Sequence, residues 1–147
     1  MIQRIQTVFI LVAEILIASL FFLKFADISV NSELYTFTVK GIFNGDVMVF
    51  DGLPIMIFTG LILFLHLVAV ILYKKRVLQI RILVFTIILL LGLTGLLFYF
   101  IYAGFTGAQV AFQVPVAFPV IAVILDYLAI RAIGKDEALV RSLDRIR

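Results

Sequence analysis

Three ionisable side chains stand inside long apolar runs: Glu14 within residues 5–25, His66 within 53–73 and Asp126 within 115–133. A charged side chain deep in a membrane helix costs about 2.5–3.5 kcal/mol on insertion scales, so each such group needs a partner or a role. Counted along a helix, Glu14 lies roughly 15 Å from Arg4, His66 roughly 12 Å from Lys74 and Asp126 roughly 8 Å from Arg131. All three fall at similar depth, where one cluster can hold them. Two carboxylates with a histidine between them are what a proton or cation relay requires. The same groups serve equally well as hydrogen-bonded contacts that fix helix register or meet a partner subunit.

Helical spacing turns each of them toward a common interior. Gln3, Thr7, Glu14 and Ala18 share one stripe, and Thr59, His66 and Tyr73 stand a heptad apart on another. Pro119, Ala122, Asp126 and Ala129 form a third stripe of small or polar residues. Gly92 and Gly95, with Thr94, allow the remaining helix a close approach.

Composition names the solvent of these helices. The 147 residues are 65% hydrophobic and 14% charged, against about 45–50% and 25% in soluble domains. A water-soluble fold of this size could not hide so much apolar side chain, so lipid surrounds it. Length allows one domain. The absence of cysteine excludes disulfides and thiolate metal sites. With one histidine and few carboxylates, neither a metal site nor any other cofactor is expected. Ser19 falls in a crossing and Ser142 in the tail, away from any histidine, so an enzyme is not expected either.

The pattern predicts four crossings, at about 5–25, 53–73, 82–102 and 115–133. The first is read as a retained helix, because its run is too long for a signal peptide and Glu14 interrupts it. Between the first two, Tyr35 to Lys40 alternates with period two, and Asn44-Gly45 separates it from Val47–Phe50. That pattern allows a short β-hairpin in the first outer loop. The fold class expected is therefore an all-α membrane protein. It has four transmembrane helices in a bundle (residues 1–133) and a cytoplasmic amphipathic helical tail (134–147).

Of twelve Lys and Arg residues, ten lie at the N-terminus, in the second connection or in the tail; only Lys24 and Lys40 lie on the other face. The positive-inside rule then places both termini in the cytoplasm. The basic balance reads as a topology signal, so nucleic acid is not expected as a partner. In the tail, Glu137 with Arg141 and Arg141 with Asp144 are spaced as helical ion pairs. Arg131, Lys135, Asp136, Glu137, Arg141, Asp144 and Arg145 are candidate contacts to lipid or to a partner, and Gly134 marks a bend between the crossing and the tail.

The opening MIQRIQTVFILVAEIL and the closing AIRAIGKDEALVRSLDRIR resemble the bacterial membrane family called domain of unknown function 4293. Gly134 stands where the family pattern leads one to expect lysine. The resemblance implies a multi-pass inner-membrane protein and carries no activity and no catalytic residues. Ala13-Glu14 with Leu23-Lys24-Phe25 is also similar to the first helix of small multidrug-resistance transporters. The chain departs from that family in having no tryptophan, a longer first outer loop and a charged tail. Two functions are thus expected: an accessory or scaffold subunit in contact with lipid and other membrane subunits or copies of itself, or a proton-coupled transporter or channel using Glu14 and Asp126.

Overall fold

Every helix buries one seam whose residues recur at steps of three and four. This is the spacing of side chains that interdigitate in a left-handed bundle. The computed structural model describes residues 3–31, 33–105 and 107–144, with side chains between Ile5 and Leu139. Helix α1 is Gln3–Ser19, α2 Leu53–Ile71, α3 Arg76–Gly104 and α4 Phe118–Asp144, the last entered through a 3-10 turn at Val114–Ala117. The seams run through Ile10, Ala13 and Ile17 on α1, and through Ile55, Thr59, Ile62, His66 and Ala69 on α2. They continue through Leu83, Thr86, Leu90 and Leu93 on α3 and Ala122, Asp126, Ala129 and Ile133 on α4. Neighbours in the bundle are α1–α2, α2–α3, α3–α4 and α4–α1, so α2 and α4 face each other across a diagonal.

All the strands lie at one end of this bundle. The sheet is antiparallel throughout, in the order β4-β3-β2-β1-β5. Its strands are β1 (Lys24–Val30), β2 (Glu33–Thr38), β3 (Gly41–Asn44), β4 (Val47–Asp51) and β5 (Gln109–Phe112). Phe25, Ile28, Phe37, Val39 and Ile42 are buried in one continuous core with Leu20, Leu97 and Ile101 at the helix ends. The rings of Phe25 and Phe37 meet edge to face at 5.1 Å, and Phe37 stacks on Phe100 of α3 at 6.3 Å. The bundle thus supplies the apolar support that a small sheet lacks on its own in water.

The expectation of an all-α bundle with four crossings is therefore corrected on two counts. Among the described residues a five-stranded sheet is present, and three helices, not four, are long and apolar enough to cross a membrane. The apolar run of 5–25 is not one helix. Helix α1 stops at Ser19, tightens through the turn bonds Leu20 to Ile17, Phe21 to Ala18 and Phe22 to Ser19, and becomes strand β1 at Lys24. Its 17 residues span about 25 Å, short of a hydrocarbon core of about 30 Å. Apolar side chains in succession suit a helix end and a buried strand alike, and periodicity cannot separate the two when the strand is short.

The turn expected at Asn44-Gly45 is present, with Gly45 at φ 59°, but the arm that pairs with Val47–Asp51 is β3 and not the alternating stretch 35–40. The alternating stretch before it pairs with β3 on one side and with β1 on the other. Residues 33–38 form β2, and Val39-Lys40 make a second tight turn into β3. At the exposed rim of the face toward the bundle the Tyr35 hydroxyl donates to Glu33 at 2.6 Å, and Asn44 Nδ2 donates to the same oxygen at 3.1 Å. The hydrogen bond to Glu33 raises the Tyr35 pKa above its ordinary 10.0; desolvation and the carboxylate's charge act the same way and Asn44 opposes them.

Sheet and bundle join at a close backbone crossing. Gly52 donates its N–H to the Lys40 carbonyl at 3.0 Å, and a Cβ on Gly41, at φ 137°, would overlap the Phe50 carbonyl oxygen. Next to this crossing Asp51 accepts the Leu53 N–H at 2.9 Å, which opens α2 with Pro54 in its first turn. Gly41→Ala should lower stability by more than about 1 kcal/mol, because both the backbone angle and the space forbid a side chain. Gly134→Ala, where an added Cβ meets nothing within 4 Å, should leave the Tm in detergent unchanged or slightly raised. Equal Tm values for Gly41→Ala and the parent would contradict the crossing.

Candidate functional site

The apolar core of the bundle is split in two, and the division falls at one level on every helix. One cluster contains Ala13, Ile62, Leu90 and Ala122; the other contains Ile10, Ala69, Leu83 and Ala129. Between them in sequence, at the next seam position, stand His66 on α2, Thr86 on α3 and Asp126 on α4, all without solvent exposure. His66 Nε2 lies 3.1 and 3.0 Å from the two carboxylate oxygens of Asp126. This contact joins the two helices that face each other across the diagonal. Thr86 donates its hydroxyl to the Ile82 carbonyl of its own helix at 2.9 Å, so it needs no partner from the pair. Among the described residues, Nδ1 of His66 has no hydrogen-bond partner.

Glu14 does not join them. It is half-buried on the flank of α1, beside the seam residue Ala13, and among the described residues no hydrogen bond or ion pair links it to His66 or Asp126. The expected three-member cluster is a two-member pair. Of the stripes read from the sequence, those of α2 and α4 are buried as expected through Thr59, His66, Ala122, Asp126 and Ala129. Tyr73 lies beyond the end of α2 and is exposed.

A second polar layer closes the end away from the sheet. Gln6 Nε2 donates to Asp136 at 2.7 Å, joining α1 to α4. Arg76 donates to the Asp136 backbone carbonyl at 3.3 Å and lies 3.8 Å from Glu137, joining α3 to α4. Gln79 donates to the Ala69 carbonyl at 3.0 Å, pinning α3 to the end of α2. Asp136, read from the sequence as an outward contact, is thus buried and occupied. The signal in the sequence that finds Gln6, Arg76 and Gln79 as inward groups is their place on the seam of steps three and four.

Arg131 and Lys135 are exposed, one turn apart on α4, over a groove of about 470 Å³ bounded by Ile5 and Phe9 of α1 and by Leu128 and Leu139. Helix α4 passes through Gly134 without interruption, so the crossing and the tail are one element. The side chains of Arg141 and Asp144, and all of Arg145, lie outside the described residues.

Such an arrangement defines a helical membrane protein with a sheet at one end and a sealed ionisable pair at its centre. The chain belongs to the family described as Domain of unknown function (DUF4293), whose match covers residues 2–146. No curated protein and no solved structure matches it.

Breaking the central pair by removing one partner leaves a buried polar group alone, at a cost of about 3–5 kcal/mol, whereas removing both costs less than the sum. His66→Leu and Asp126→Leu should each sharply lower the denaturant midpoint in micelles. The double variant should be no less stable than the worse single one. Strict additivity would mean that the two side chains do not interact.

Proposed function

We propose that this protein is a small accessory or scaffold subunit of the bacterial inner membrane. It works by association with other membrane subunits or with copies of itself, not as an enzyme or a transporter. The observation that carries this reading is the closure of the His66–Asp126 pair: both side chains are fully buried and occupied by each other. A proton-coupled carrier needs water to reach its carboxylate from at least one side. Here Glu14, the carboxylate with partial exposure, is not connected to the pair. The outward helix faces also favour association: Gly60 and Gly95 are exposed and leave open space where a side chain would stand, and small residues let a second helix approach closely.

Orientation follows from charge. The end of the bundle away from the sheet carries Lys74, Lys75, Arg76, Arg81, Arg131 and Lys135, whereas the sheet end carries Lys24 and Lys40 among four carboxylates, Asp27, Glu33, Asp46 and Asp51. This supports cytoplasmic termini and a sheet outside the cytoplasm. A reporter fused after Arg147 should be active only inside the cell; labelling by an impermeant external reagent would reverse the orientation.

Association is tested by cross-linking in native membranes, followed by purification in mild detergent. A discrete covalent adduct, with a second membrane protein or a second copy, is expected. If only the isolated chain is recovered under conditions that capture a known membrane complex in the same cells, the subunit reading fails.

A further inference from the structure

A cavity of about 670 Å³ opens at the α2–α3 connection, at the end of the bundle away from the sheet. Four cations line it, Lys74, Lys75, Arg76 and Arg81, against one carboxylate, Glu137. Arg76 already faces that carboxylate at 3.8 Å and donates to the Asp136 backbone. The charge on Glu137 is therefore opposed from within the fold, and Lys74, Lys75 and Arg81 add three further cations. The first turn of α3, residues 76–78, forms part of the wall. It has no acidic residue, and no side chain caps it. The peptide N–H groups of an uncapped first turn lack intrahelical partners and carry the positive end of the helix dipole. Both contributions have the same sign, and a single phosphate would leave part of it unbalanced.

The rest of the lining decides what sort of anion fits. Tyr73, Val77 and Leu78 bound the same cavity and are exposed, immediately beside the apolar lengths of α2 and α3. A soluble polyanion would leave these side chains against water. A phospholipid covers them with its acyl chains while its phosphates reach the cations. We propose that this cavity binds an anionic phospholipid with two phosphate groups, held by Lys74, Lys75 and Arg81 over the open start of α3. The site is separate from the central pair, and the inference does not rest on the subunit reading.

The test uses the full chain in a neutral detergent, with bound lipid counted by native mass spectrometry. The probes are diphosphatidylglycerol, phosphatidylglycerol and phosphatidylcholine, with inorganic pyrophosphate in a parallel arm. Diphosphatidylglycerol should bind at least tenfold more tightly than phosphatidylglycerol, and phosphatidylcholine should not be retained. The triple variant Lys74→Gln/Lys75→Gln/Arg81→Gln should lose roughly a hundredfold in affinity, at about fivefold per cation. Arg131→Gln/Lys135→Gln, which removes two cations from the separate groove on α4, should change it less than threefold. Equal binding of the one- and two-phosphate lipids overturns the proposal, as does an equal loss in the two variants. Pyrophosphate competing at the same concentration as the lipid would assign the cavity to a soluble anion instead. The comparison of lipids on the parent chain decides the matter even if the triple variant fails to fold.

Discussion

Two helices that do not otherwise pack side by side are tied together through the middle of this bundle by a histidine and an aspartate. Hydrocarbon offers a stray polar atom nothing to bond to, so a helix carrying Asp126 gains by turning it toward the one side chain able to meet it. That requirement selects a rotation for α4, and His66 selects one for α2. The leucines, alanines and isoleucines of the seams have no comparable reason to prefer the interior, because lipid tails suit them as well as other side chains do. Apolar packing fills the interior; the polar layers choose which faces form it. The outer layer of Gln6, Asp136, Arg76 and Gln79 repeats this logic where the helices approach the headgroups; it fixes α1 and α3 relative to α4, and α3 relative to α2.

The sheet answers to a different solvent. The face of the sheet toward the bundle is covered by aromatic and branched side chains that continue its core, and the exposed rim of that same face carries the Glu33, Asn44 and Tyr35 network. On the opposite, outward face Asp27 receives Lys24 at 2.9 Å and Gln113 at 3.1 Å, which links β1 to the segment leading into α4. Exposed pairs of this kind contribute little each. Strand pairing and the aromatic contacts beneath it hold the cap. Gly41 and Gly52 permit it to sit close to the start of α2.

How far the sequence could be read depended on whether polarity marked the inner face. On α2 and α4 it did, since Thr59, His66 and Asp126 lie on the seam, and the pairing of the last two is legible from depth alone. On α1 the polar residues misled: Glu14 draws the eye to a stripe beside the buried one, and Gln6, a better marker, is a single residue near the helix start. On α3 Gly92 lies against Phe58 of α2, where an added Cβ would stand 3.3 Å from the ring, whereas Gly95 faces open space, because small residues suit an interface with another molecule as much as one within the bundle. Strand β1 was hidden because it continues an apolar run. Strand β5, four residues long, is specified by its register against β1 and by little in its own sequence. Only the β3–β4 turn, with Asn-Gly chemistry, announced itself. Asp136 looked like part of a solvated tail since nothing local distinguishes an acidic residue that will be buried from one that will not.

Helix α4 extends unbroken over 27 residues, about 40 Å, and carries both Asp126 and Asp136 on its inward side. A rod of that length has no joint at which a displacement of its far end can be absorbed. Whatever grips the charged terminus and rotates or draws it will therefore work as a lever on both polar layers at once, and the diagonal bond at the centre is where such a pull is resisted.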